Sequence, residues 1–271
     1  MSLEDLCRPD ATTLRFSPAG LLTAAEMRPE ASLQYLDEML AAASLGPSVS
    51  DEVKGPFDRL KTVHRYGLFN YGFFTVAATE TSLIIELALG VRFVEEYRLG
   101  LPLVDRASQE RAVLNPSTFR DVVAAVGPRG SHPHRARRGG QSWILDDHPT
   151  FDASFNSLLK WAQSMGLLRE WLGDQWRRNE AAIKYAAVTH VNDDFAVPDD
   201  WNQMGYAAQA AWWESFRRRW EDRNLEVVRE LRNLAAHPTY HQIVTPVDSG
   251  RAIIAAAAMI NSLWEGDDQP R

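Results

Sequence analysis

Cysteine is almost absent: the 271 residues hold one, Cys7. A single thiol excludes any disulfide within the chain and fits a reducing compartment. Long apolar runs are lacking too. A membrane span needs roughly 18 or more consecutive apolar residues, and the most apolar region, residues 69–94, is interrupted by Glu80 and Glu86. The first 18 residues carry Glu4, Asp5, Arg8 and Asp10 without an apolar segment, so no signal peptide is expected there. These absences predict a soluble cytoplasmic protein with no membrane contact. The glycine loops that cradle phosphates are missing, as is a Gly-x-Ser-x-Gly elbow, and no cofactor is expected. Basic charge is in deficit, with 29 Lys and Arg against 36 Asp and Glu and a net charge of −7. A surface that coats nucleic acid would be basic, so the charge counts against that class but not against a small RNA-cutting site.

What is present favours helix. Ala, Leu, Glu and Arg are abundant, and Gly and Pro gather in a few places. Nine tryptophans argue for extensive packed helix surface or interfaces. Two local basic clusters stand out: Arg129, Arg135, Arg137 and Arg138 with His132 and His134, and Arg217, Arg218, Arg219 and Arg223. Each reads either as solvated surface or as a local anion-binding patch.

Along the chain, residues 21–44 read as one or two helices, with Pro29 at a break or in a first turn. Residues 51–64 read as a short helix whose start Gly55-Pro56 disturbs. The clearest long helix spans 66–98, where Tyr66, Phe69, Phe73, Val76, Ile84, Leu87, Val91 and Val94 recur at three- and four-residue spacing. Glu80 fills the gap in that stripe: if buried there it needs a positive partner, and if it sits at the stripe's edge it reaches water. Residues 99–150 are punctuated by prolines and read as an insertion, with a short helix at 117–126 and a mobile loop at 127–141. Helices resume at 151–165, with Gly166 as the stop, at 168–188, and at about 203–236, where Trp213, Phe216, Trp220, Val227, Leu231 and Leu234 form the core face. A last helix is capped by Asp248 or Ser249, and its stripe is Ile253, Ala257, Ile260 and Trp264.

The run from Glu230 to Pro238 carries the chemistry. The residue before a proline is pushed out of the α region, so the helix is expected to end near His237. A helix C-terminus favours imidazolium and holds His237 near the pH range where it both gives and takes a proton. Asn233 lies one turn earlier on the same face. Arg232, five residues back, points about 140° away on an ideal helix. Either the last turn distorts or two copies of the helix build the site together.

Arg232, Asn233 and His237, an Arg, a polar residue and a His at a helix end, resemble the signature of HEPN domains. The resemblance covers about residues 61–264, with Tyr66, Tyr71 and Glu86 on a first long helix and 99–150 outside it. It implies an all-α, antiparallel helical bundle with an insertion, an N-terminal helical extension over 1–60 and a flexible tail at 265–271. It also implies a homodimer that acts, in many members, as a metal-independent ribonuclease of toxin or phage-defence type, with an antitoxin or regulatory protein as a possible partner. Carried over, His237 is the general acid or base, Arg232 stabilises charge on the phosphate of RNA, and Asn233 orients one of them. Glu80 is expected to pair with Arg232 and hold it. Tyr240, just after the motif, either touches substrate or packs.

Other readings stay open. Arg232 and His237 read equally as an ion pair and a helix cap in a non-catalytic interaction or sensor module. His132, His134 and His148 lack the company and spacing of a metal site, so no metal is expected.

Overall fold

A computed structural model describes residues 7–16, 22–105, 108–126, 143–188, 196–236 and 244–265. The described chain is mostly helical. A four-residue helix, α1 (Ala11–Leu14), starts where Asp10 accepts from the Thr13 backbone N–H. Next, α2 (Pro29–Ala41) opens with Pro29 in its first turn, where the missing N–H costs nothing. The third helix, α3 (Asp51–Tyr66), is capped by Ser50 and runs through Pro56. Its end lies two residues past the expected one, and Pro56 leaves its start intact, because a proline near a helix start gives up only one early bond.

The expected helix over 66–98 is divided. After α3 ends at Tyr66, a turn intervenes and α4 (Gly72–Glu96) begins. The turn needs Gly67: a Cβ there would sit 2.3 Å from the Phe74 ring. The buried face of α4 carries Phe74, Ala77, Ile85, Ala88, Leu89 and Phe93. Tyr66, Phe69, Phe73, Val76 and Leu87, assigned to the core by their spacing, are exposed. Both sides of α4 are apolar, and the predicted stripe mixes them: Ile84 is buried and Val91 and Val94 pack against the core, whereas the others face outward. For the same reason α4 is the one described helix long and apolar enough to cross a membrane, although 44% of that window is buried inside the protein.

The expected all-α class needs a correction within 99–150. Three short strands, β1 (Leu101–Asp105), β2 (Arg111–Leu114) and β3 (Trp143–Leu145), form an antiparallel sheet in the order β2-β1-β3. In register, Leu103 faces Ala112 on one side and Leu145 on the other. Strands of three to five residues are too short to show alternation, and Pro102 hides the pattern in β1. The helix α5 (Phe119–Val126) forms close to where it is expected. The predicted loop over 127–141 lies outside the described residues.

Beyond the sheet come α6 (Phe155–Ser164), α7 (Arg169–Val188), α8 (Tyr206–Ala236) and α9 (Pro246–Trp264). Gly166 ends α6 as predicted: its φ is +75°, its N–H reaches Gln163 O, and the Leu167 N–H reaches Ala162 O. The cap of α9 is Thr245, neither Asp248 nor Ser249. Asp248 is its reciprocal partner in a capping box, and Ser249 is buried inside the helix.

One large core joins α3, α4, α6 and α9, with α4 in the middle. Leu40, Val53 and Phe57 belong to it, so the expected boundary at residue 60 falls inside α3 and within that shared core. At its centre Phe93 stacks on Phe151 at 4.8 Å and meets Trp161 edge-on at 4.8 Å. A separate cluster holds Trp176 and Ala187 of α7 with Phe216 of α8, and Trp201, Trp212, Trp213 and Trp220 pack around it. Within the predicted core face of α8, Phe216 is buried whereas Val227 is exposed. The side chains of Leu231 and Leu234 lie outside the description.

Candidate functional site

Arg232 lies four residues before Ala236, where α8 ends. Its Nε donates to Glu86 Oε2 at 2.8 Å and its Nη2 to Glu86 Oε1 at 3.2 Å. The two side chains are 27% and 30% exposed. A two-point grip fixes the plane of the guanidinium as well as its position, which a single contact does not. Of the five N–H donors on an arginine side chain, Glu86 engages two.

The predicted partner, Glu80, is a correction. It is exposed, on the outward side of α4, and Glu86 takes the role instead. Six residues separate them, which is about 120° away from full turns on a helix. Glu86 flanks the outward stripe rather than lying on it, and so faces α8. Asn233 is exposed beside Arg232. His237 and Tyr240 lie outside the described residues.

Along α8 toward this end runs an open groove between α6 and α8, lined by Lys160, Gln163, Arg219, Asp222, Arg223 and Arg229, with Glu226 among them. Four cations face two carboxylates there. Arg229 and Arg223 both bond Glu226, at 2.7 and 2.6 Å, and Gln163 donates to Asp222. The Arg223 hydrogen bond, first among several causes, holds the Glu226 carboxyl below its usual range. The Arg217–Arg219 cluster is partly committed elsewhere. Arg217 bonds Glu221 and lies over Trp176, Arg218 bonds Glu214, and Arg219 lies over Trp212. Among the described residues no three potential metal ligands converge, and His132 and His134 lie outside them.

A second polar group gave little sequence signal. Val53, Phe57, Leu60 and His64 share the buried face of α3. His64 is fully buried, its Nδ1 is 3.0 Å from Ser249 Oγ, and Phe74 stands edge-on at 5.1 Å. Burial, with a smaller push from Arg65, lowers its pKa from 6.5 to about 4. The folded value is the lower one. Above the unfolded value of 6.5 both states are neutral. As pH falls from 6.5 toward 4, the unfolded chain takes up a proton that the fold refuses, and stability is lost. The loss by pH 4.5 is about 2–3 kcal/mol. Urea unfolding at pH 7 and pH 4.5 should therefore show a larger drop for wild type than for His64→Leu. An equal drop in the two proteins would remove His64 as the cause.

No family model, no curated protein and no solved structure matches the chain.

Proposed function

We propose that this protein is a metal-independent endoribonuclease of the toxin or phage-defence kind, with a HEPN-like helical bundle, acting as a homodimer. The observation that carries the reading is the two-point grip of Glu86 on Arg232 at the end of α8. It holds a guanidinium half-exposed, next to Asn233 and five residues before His237. An arginine held this way suits charge that develops on a phosphate, since no reorganisation is needed when the charge appears. The basic groove leading to Arg229 supplies a path for an anionic chain despite the net charge of −7.

In this reading His237 takes the proton of a ribose 2′-hydroxyl. The freed oxygen attacks the adjacent phosphorus, the bond from phosphorus to the 5′-oxygen breaks, and the leaving 5′-oxygen takes its proton from the imidazolium so formed or from that of the second copy. Arg232 binds the non-bridging oxygens, and Asn233 orients the phosphate or the imidazole. Glu86 acts through Arg232. Glu86→Gln keeps the shape but removes the charge that grips the guanidinium. It should lower cleavage by about 10-fold and leave the fold intact, since a half-exposed ion pair contributes only about 1 kcal/mol. A Glu86→Gln protein with unchanged kcat/KM would show that the grip is structural only.

The test is cleavage of RNA by the purified protein in the presence of chelator, with Arg232→Ala and His237→Ala as controls. Absence of cleavage by wild type would favour a non-catalytic helical interaction module, a reading to which the exposed apolar face of α4 lends weight.

A further inference from the structure

The exposed side of α4 is not an ordinary solvated face. Tyr66, Phe69, Phe73, Val76, Leu83 and Leu87 are each between 36% and 52% exposed. Glu80 fills the one gap in their series. The intervals from 66 to 87 are then three, four, three, four, three and four residues. Within α4 the intervals from 73 to 87 are those of a helix seam made to meet another helix, and Tyr66 and Phe69, on the end of α3 and the turn before α4, extend the apolar surface beside it. The three aromatic rings already touch, with Tyr66 6.5 Å from Phe69 and 6.2 Å from Phe73. The opposite side of α4 is fully used by the core, so the outer seam is surplus to the folding of one chain.

We infer that a second copy of this chain packs antiparallel on the outer face of α4 and the turn before it. Two arguments select this occupant. The first is area. At their exposures the six side chains present roughly 450 Å² of apolar surface, which matches the apolar share of one side of a standard interface of about 800 Å². The second is self-complementarity. A two-fold axis near Ala78 sets Phe73 opposite Leu83 and Val76 opposite Glu80 within α4, so an aromatic residue of each seam meets an aliphatic one of the other. A parallel pairing would instead oppose Glu80 to Glu80. In the antiparallel pair the two carboxylates are offset by four residues, about 6 Å along the axis. A lone polar residue in a seam fixes register and costs affinity. A lipid surface is the poorer occupant, because Glu80 would enter hydrocarbon and a net charge of −7 repels anionic headgroups.

The seam ends at Leu87, beside Glu86, so it borders the Glu86–Arg232 pair without including it. The inference therefore stands whether or not the protein cuts RNA.

Sedimentation velocity of the full chain over about 1–100 µM tests it, because mass action makes a dimer concentration-dependent. Wild type should form a dimer. Leu83→Glu should weaken it by about 100-fold, and Glu80→Leu should tighten it by about 10-fold, as expected for a charge added to or removed from an apolar seam. Both positions are exposed, so circular dichroism should stay unchanged. The inference is overturned if wild type and Glu80→Leu are monomers throughout, or if a dimer forms that neither variant moves. It is equally overturned if a monomeric wild type binds phosphatidylcholine vesicles and Leu83→Glu abolishes that binding, which would make the face a lipid contact.

Discussion

Arg232→Ala and His237→Ala are each expected to lower chelator-resistant RNA cleavage by about 100- to 1,000-fold. That is the usual loss when one donor to a developing oxyanion, or one positioned general acid or base, is removed. The arginine should act mainly on kcat, because the charge it meets is larger in the transition state than in bound RNA. Arg232→Lys should rescue little. An ammonium offers a point charge, whereas Glu86 and a phosphate together require the flat fork of a guanidinium. Cleavage retained by both alanine variants would assign the activity to a contaminant or to another site, and the proposed role of this motif would fall.

Phe93→Ala should cost about 3–5 kcal/mol of folding stability, the range for deleting a buried aromatic ring. Phe93 is wholly buried and touches four other rings: Tyr97 at 4.7 Å, Phe119 at 6.0 Å, Phe151 and Trp161. These come from the end cap of α4, α5, the segment before α6, and α6 itself. Tyr97 and Trp161 also meet each other at 6.4 Å, and the site should collapse poorly. Urea unfolding reads the loss as a fall in midpoint with the slope unchanged. Phe93→Leu should cost well under half as much. A loss below about 1 kcal/mol for the alanine variant would mean that this ring cluster is not the keystone of the core.

Much of the helical layout is legible in the sequence because its punctuation is local chemistry. Gly166 stops α6 through a positive φ, Pro29 opens α2, and residues 203–236 nearly reproduce α8. The strands were not legible, since three to five residues around Pro102 carry too little pattern. The orientation of α4 was not legible either. A helix with two apolar faces gives a single-sequence reading no way to choose the inner one, and the error passed to Glu80, which was expected to be buried and paired. Glu86 becomes identifiable only when α8 is seen beside α4. Thr245 was passed over as a cap although Asp248, three residues on, completes the reciprocal pattern. The His64–Ser249 contact joins residues 185 apart in sequence, a separation no local signal spans.

The tryptophan-rich cluster between α7 and the first half of α8 has its own core, distinct from the one around α4. Five of the nine tryptophans, Trp176, Trp201, Trp212, Trp213 and Trp220, belong to it. Intrinsic fluorescence of this protein is therefore chiefly a gauge of one peripheral unit, while far-ultraviolet circular dichroism averages over all the helices. A unit with its own small core can open without the rest. The two signals should then give separate denaturation midpoints, with fluorescence moving first, and a melting temperature taken from fluorescence alone would understate the stability of the body that carries Glu86.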